Sequence, residues 1–480
     1  MLNQSPASKW GPMPSPKQLI DVIYDKGNID RIAEDQERYL IYNGKVRESV
    51  KRAIQDEFLL PETVSELINR VIPLNITQKI VNKLATVYKA EPRREPLSGN
   101  EVDLENLDAL VTALSLNHKM MQANRYFKLH KHVALEPYAH LGQPKLRVLP
   151  SHTYTPYSDD AIEPENPTAI VKHIVMGSQD RKDDLHVVWT ETEHYTMNGA
   201  GDVIVDENNP ERGNPYGTIP IVYVKEADDL LVPIQDDDLK RMQVVICLLL
   251  TDLAFASKYQ AWSIIALINA STEKMSFNPN SIVTLNSQNG EQPDIKVIKP
   301  QLDSDALLRM VEALLGMLLT TKSLSVSTVT GQLQAQNASS GVAKILDQAE
   351  STEDKEVQVS FFTVAEKTLF EKLASKIMPV WIEQGMLSPK YASLALSTDF
   401  ELAISFPDQR PVISEADKVE LEIKKLDNGL TTHHMAIQEI NPEYSTEEVQ
   451  QVLAEIRKER EDAMTQVAEV ASGSEAQTLN

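Results

Sequence analysis

Between Val244 and Ala256 the chain reads VVICLLLTDLAFA, apolar on nearly every side of a helix, with Asp252 its single charge. A surface helix carries one apolar stripe, so a helix like this must be covered on several sides. Pro233 precedes it and no Gly or Pro follows before Pro279. The acidic run Asp236 to Asp238 suits the start of a helix, where carboxylates cap free N–H groups and complement the dipole. The spacing therefore predicts a helix of about 25 residues, roughly 38 Å long. A second helix is expected from Asp303, with Leu307, Leu308, Val311, Leu314, Leu315, Leu318 and Leu319 on one side. Between the two, IVTL and IKVI flank Asn289-Gly290 and predict a hairpin.

After the second helix the chain loses its charge. From Leu324 to Ala343 there is no Asp, Glu, Lys or Arg, in a chain that is 24% charged. At that frequency about five charges would be expected. A polar, neutral loop between helices suits a surface past which something highly charged must move. On pattern alone the paired helices fit an αα hairpin of an ordinary core at least as well.

With 480 residues, about two to four lobes are expected, and 42% hydrophobic residues suffice for a real core. The net charge of −23 argues against tight, sequence-independent binding of nucleic acid, which needs clustered Lys and Arg. It leaves room for a protein that meets DNA without adhering to it. The lone cysteine, Cys247, has no partner within the chain, so the fold does not rest on disulfides and a reducing site of synthesis is expected. Its place in VVICLLL fits a small buried hydrophobe. The N-terminal MLNQSPASKWGPMPSPKQ lacks the basic-then-apolar pattern of a signal peptide and is expected to be a flexible arm. The apolar run Val244–Ala256 is about half a membrane span, so no membrane segment is expected.

The rest of the chain divides by period. From about Lys17 to Pro92 the pattern is helical, with Pro61 at a helix start and Ile76, Ile80, Leu84 and Val87 at helical spacing before EPRREP. Residues 101–131 continue helical, with Leu104, Leu107, Leu110 and Leu114 on one side. Past His132 short β-rich runs follow: KLRVLP, TAIVKHIVM, LHVVWT, HYTM, DVIVD and IPIVYV. They predict an antiparallel lobe of about ninety residues, with Asn198-Gly199 a hairpin signal. Ser339 to Ser388 is helical again, DFELAISF a strand, and Glu415 to Asp427 a helix ended by Gly429. Ser445 and Glu448 form a capping box for a last helix through Met464. The fold class is α+β, mainly helical.

No motif carries catalytic chemistry. Gly331 and Gly341 lack the Lys-Ser/Thr of a phosphate-binding loop, and NGAG at Asn198 lacks a third glycine. There is no nucleophile elbow and no zinc helix motif. His130 and His132, near His140, could alternate on one strand face, but no Cys or carboxylate cluster supports a metal there. His433 and His434 point to different sides of a helix, and Asp236 to Asp238 read as a cap rather than a metal cluster. No enzyme, cofactor or metal is expected.

The order of segments resembles the portal proteins of tailed double-stranded-DNA bacteriophages, particularly the long-tailed type. KIVNKLATVYKAEP looks like the wing helix with its Pro-containing turn. NPYGTIP is similar to the Asn-Pro-(Tyr/Phe)-Gly-x-(Ile/Leu)-Pro signature that closes the wing β-lobe. IVTLNSQNGEQPDIKVIKP looks like the clip hairpin, and NASSGVAKILDQAE resembles the helix after the tunnel loop. LEIKKLDNGLTTHHMAIQEINPEYSTEEVQQVLAEIRKERE matches the late order of helix, Gly, short helix, Asn-Pro and acidic helix. The Pro/Ser arm and residues 150–215 carry no such resemblance.

The resemblance implies a portal-like subunit with wing, stem, clip and crown. Its regions would be a flexible arm (1–17), the helical (18–131) and β-rich (132–233) parts of the wing, and the first stem helix (234–259). The clip (260–302), second stem helix (303–322) and tunnel loop (323–338) would follow. Wing helices and a strand (339–413), a helical crown (414–471) and a disordered tail (472–480) would complete it. Such a subunit would form a ring, usually of twelve, at one capsid vertex, through which DNA is packaged and ejected. Its partners would be copies of itself, double-stranded DNA, the terminase packaging motor, major capsid and scaffolding proteins and a head–tail adaptor. It would reside in the virion after synthesis in the host cytoplasm. Gln332, Gln334, Gln336 and Asn337 would face DNA, hydrogen-bonding phosphates briefly without releasing counterions. Lys322 and Lys344, which bracket the neutral segment, would flank the channel. Lys274, Asn289, Gly290 and Glu291 would lie on the clip, toward motor or adaptor. A ring-forming adaptor of the head–tail junction is the nearest alternative, although adaptors are typically small. A cytoplasmic hydrolase would need convergent catalytic groups that the chain does not show.

Overall fold

The N-terminal half is made of short helices that depend on their caps and on one another. Helix α1 (Pro16–Ile23) opens with a capping box in which Ser15 and Gln18 satisfy each other's backbone N–H groups. Helices α2 (Lys26–Tyr42), α3 (Val46–Glu57), α4 (Pro61–Ile68) and α5 (Ile76–Leu84) follow. Strand β1 (Arg93–Pro96) leads to α6 (Glu101–Leu114) and α7 (Leu116–His130). Ser115, at φ 51°, turns the chain between α6 and α7. The expected stripe on α6 holds for Leu107, Leu110 and Leu114, whereas Leu104 is on the open side. The structure is a computed structural model. It describes residues 13–57, 61–160, 164–226, 229–261, 264–268, 270–271, 286–287, 294–298, 303–324, 341–407, 419, 422–426, 431–440 and 449–454.

The β-rich region forms two antiparallel sheets. Strand β2 (His132–His140) pairs with β3 (Gln143–Leu149) on one side and β9 (Val222–Lys225) on the other. The second sheet has five strands in sequential order: β4 (Tyr154–Tyr157), β5 (Ala169–Val175), β6 (Leu185–Thr190), β7 (His194–Asn198) and β8 (Val203–Ile204). Each of the short β-rich runs expected between turn residues contains a strand here. β2 and β4 were not marked by alternation: six successive residues of β2 are buried, so it reads as a continuous core segment. The hairpin expected at Asn198-Gly199 joins β7 to β8. Asn214 of the NPYG turn organises the region after β8. Its side-chain amide donates to Thr190 O, Glu191 O and Thr218 O, and its Oδ1 accepts from Tyr216 N–H.

The long apolar helix is present as α8 (Asp238–Ala261, 24 residues). It is covered on two sides. Cys247, Leu248 and Phe255 pack with Ile41, Val46, Val50, Ile54 and Leu67, and Ile246 packs with Ile76, Ile80, Leu318 and Leu319. A third side is open, with Val245 exposed. The last two leucines of that second cluster belong to α9 (Ser304–Thr321), capped by Asp303 as expected.

Between α8 and α9 the described strands form two pairs. IKVI lies in β13 (Asp294–Ile298), whose partner is β10 (Ile264–Ile268), and β11 (Ala270–Ser271) pairs with β12 (Asn286–Ser287). IVTL and Asn289-Gly290 lie outside the described residues.

Helix α10 (Gly341–Lys372) continues through a wider turn at Leu373–Ile377 into α11 (Met378–Glu383). α12 (Pro389–Ala392) and β14 (Leu402–Ser405) follow. β14 pairs with β1, so EPRREP is a strand and not merely a helix stop. Arg94 of β1 donates two hydrogen bonds to the fully buried Glu366 of α10, which also accepts from Tyr88 OH at 2.7 Å. The main core lies around these elements, from Leu107 and Phe127 to Phe370 and Trp381.

The chain divides into two compact units: residues 1–334 with 350–407, and residues 335–349 with 408–480. In the second, the described residues between 408 and 480 are mainly helical: residues 422–426, α13 (His433–Ile440) and 449–454. Glu422, Ala436 and Val449 are buried there.

Candidate functional site

The start of α8 and the end of α9 meet in a network of charges. The Lys322 ammonium donates to Asp236 Oδ2 and lies equally close, at 3.0 Å, to Asp238 Oδ2. Lys131, just after α7, reaches the other oxygen of Asp236 at 3.0 Å and Glu226 at 3.7 Å. Arg38 of α2 donates to Asp237 at 2.7 Å, and to Asp35 and Glu34 at 3.2 Å. The acidic run thus caps α8 as expected, with Asp238 accepting from Leu239 N–H, and also ties that helix to α2, α7 and α9. A cavity of about 270 Å³ lies among these groups.

The local chain path explains why Lys322 ends there. Lys322 follows the last turn of α9, and Ser323 adopts φ 53°, in the left-handed region. Leu324 N–H then returns to Leu319 O at 2.9 Å, and the Leu324 side chain packs against the α8–α9 core. Burial alone would lower the Lys322 pKa, but the hydrogen bonds its ammonium donates to Asp238 and Asp236 outweigh it and raise the value. Burial likewise favours protonated Asp236, while Lys131 and Lys322 reverse that and lower its pKa. Both groups are therefore ionised at neutral pH.

α8 is anchored a second way. Gln243, 1% exposed, accepts through Oε1 from Ile76 N–H at 2.8 Å and Thr77 N–H at 2.9 Å. Its Nε2 donates to Leu74 O. A side chain of α8 thus caps α5, together with the local cap Asn75. Cys247 is the buried hydrophobe expected, its sulfur between Gln243 Nε2 and Leu74 O.

Of the residues expected to face or flank the channel or to lie on the clip, Lys322 alone has a described side chain. Its ammonium is held by Asp236 and Asp238. Lys344 lies on α10, and only its place in the helix is described. Gln332, Gln334, Gln336, Asn337, Lys274, Asn289, Gly290 and Glu291 lie outside the described residues. Lys131, Arg38 and Glu226 escaped sequence reasoning, because scattered charges carry no periodic signal of their partners.

The histidines occupy a different place from the one expected. His130 ends α7 and His132 begins β2, so they do not share a strand. Among the described residues no group of His, Cys, Asp and Glu could hold a metal. His132 instead bonds Tyr154 OH through Nδ1 at 2.7 Å and Ser151 Oγ through Nε2 at 2.8 Å. Ser151 Oγ donates to Asp35, so the imidazole Nε2–H donates to Ser151 and Tyr154 O–H donates to Nδ1. Serine, histidine and aspartate are together, but the serine proton points at the carboxylate and all three side chains have no exposure. A nucleophile needs its oxygen free and reachable, so this is a structural network.

The sequence model of the phage portal protein family, SPP1 Gp6-like, matches residues 23–465. No curated protein matches the chain by sequence. Among solved structures, a chain from the neck of an empty GTA particle computed with C6 symmetry is similar at 13% identity and TM-score 0.34, covering 78% of this chain and 92% of that one. A chain from the virion of a native gene transfer agent particle shows 12% identity and TM-score 0.35, with 82% and 98% covered. One from the neck of a native GTA particle computed with C12 symmetry shows 13% and 0.34, with 80% and 94% covered.

Proposed function

Because this chain belongs to the phage portal protein family, SPP1 Gp6-like, and is a portal or head–tail connector subunit, we propose how its parts serve that role. It assembles into a closed ring of twelve identical subunits at one capsid vertex of the virion. The ring is the channel for DNA entering during packaging and leaving at infection. The observation that carries the assignment is the family match across residues 23–465, nearly the whole chain. The helices α8 and α9 serve as stem, residues 260–302 as clip toward the terminase motor and later the adaptor, and residues 414–471 as crown. Capsid and scaffolding proteins would meet the outer surface. Portal subunits are structural, and the role needs no catalytic group in this chain.

The exposed apolar side chains of the α8–α9 pair support a ring. Val245, Leu308, Met310 and Met317 are between 39% and 57% exposed in the single chain, and a neighbouring subunit would cover such residues. Gln332, Gln334, Gln336 and Asn337 form a neutral DNA-facing constriction in an otherwise acidic subunit. They offer hydrogen bonds to phosphates and no lasting ion pairs. Lys322, held by two aspartates, acts by fixing where that segment starts rather than by gripping DNA.

Native mass measurement and negative-stain imaging of the purified chain test the ring, which is expected to show a central hole. A strictly monomeric species at high concentration would overturn it. Replacing Gln334→Arg and Gln336→Arg together is expected to slow or block DNA packaging while rings still form. Unchanged packaging would remove the constriction from residues 323–338.

A further inference from the structure

A cleft of about 810 Å³ runs between β9 and α10. β9 is the last strand of the β3-β2-β9 sheet, and its pairing fixes where its backbone points. Glu226 N–H donates to Lys131 O, and in this antiparallel register Val224 and Val222 are the next residues to exchange bonds with β2. The amide and carbonyl groups of Ile221, Tyr223 and Lys225 therefore point away from β2. Ile221 O accepts from Lys372 Nζ of α10 at 3.3 Å, which places this outward edge on the cleft. The backbone N–H and C=O of Tyr223 meet no partner among the described residues.

The walls and the mouth differ in character. Val364, 63% exposed, and the half-buried Phe361 and Ile219 form an apolar wall. The two lysines of the cleft are engaged by backbone: Lys372 by Ile219 O and Ile221 O, Lys225 by Pro164 O and Leu230 O. Asp159, Glu165 and Glu191 are exposed along the cleft and outnumber its two lysines. Open backbone groups in a sheet edge attract another strand.

We propose that the cleft receives an extended segment of a partner protein in which apolar residues alternate with Lys or Arg, added as a fourth strand beside β9. The strand's backbone would bond Tyr223, its apolar side chains would meet Val364 and Phe361, and its cations would face Glu165 and Glu191. The proposal stands on the cleft alone and does not need the portal assignment.

The test uses the full chain and a labelled octapeptide of alternating valine and lysine, with binding followed by fluorescence anisotropy and backbone amide exchange. Binding should protect the Tyr223 amide. The same peptide N-methylated at alternate residues keeps its charge but loses donors, and should bind at least tenfold more weakly. The double variant Glu165→Lys, Glu191→Lys alters only exposed side chains and should weaken the unmodified peptide at least fivefold. Equal binding of both peptides, or of neither, would overturn the proposal. So would a Tyr223 amide protected without peptide: loss of that protection on deleting residues 1–12 would assign the cleft to the chain's own N-terminus, and loss on dilution to a second copy.

Discussion

At the scale of single residues, the side chains that matter most join segments far apart in sequence. Gln243 satisfies two backbone N–H groups of residues 76 and 77 in a place closed to water. Its replacement Gln243→Leu keeps the volume and leaves those donors unpaired, at about 1–3 kcal/mol for each unsatisfied group. Urea unfolding should shift by about 2–4 kcal/mol, and an unchanged midpoint would show that the cap is dispensable. Glu366→Leu should cost about 3–5 kcal/mol, since it strands the buried guanidinium of Arg94. Lys322→Met is expected to behave differently. Asp236 and Asp238 are 52% and 36% exposed, so losing their partner should cost at most about 1 kcal/mol. Its effect should appear instead as faster amide exchange at Leu318 to Leu324, with the global unfolding midpoint nearly unmoved.

At the scale of elements, burial of histidine sets how the sheets respond to acid. Burial holds the imidazoles of His132 and His173 down to about 3 and that of His152 to about 4. A histidine with a depressed folded pKa binds fewer protons folded than unfolded between that value and about 6.5. Stability from these groups is therefore full above pH 6.5 and falls with pH below it, by up to about 1.4 kcal/mol per histidine per pH unit. Thermal unfolding between pH 7 and 4 should show this decline, and a flat profile down to pH 5 would refute it. Elements with a local signal were legible in the sequence: the α8 apolar run, the later part of the α9 stripe from Val311 to Leu319 with the Asp303 cap, and the short β-rich runs. Leu308 of that stripe is exposed. β2 was hidden because burial on both faces removes alternation. The β1–β14 and β10–β13 pairs were hidden because strand pairing is set by distant partners. The α8–α9 site was half legible: the acidic cap was visible, while its cations at residues 38 and 131 carried no pattern.

At the scale of the whole molecule, one chain leaves apolar surface along α8 and α9 and an acidic balance overall. Assembly would hide the first and leave the second to repel DNA, so ring formation should depend weakly on salt. Sedimentation at about 0.05 and 0.5 M salt should show the same assembled species, and dissociation at high salt would assign the contacts to ion pairs instead. The cap on α5 also has a consequence in time. Ile76 waits for a partner 167 positions later in the chain. At about 5–20 residues per second on the ribosome, that delay is roughly ten to thirty seconds. A nine-residue helix is too short to persist alone through such an interval. The first helices therefore leave the ribosome as an unfinished surface, in need of shelter until α8 has been made.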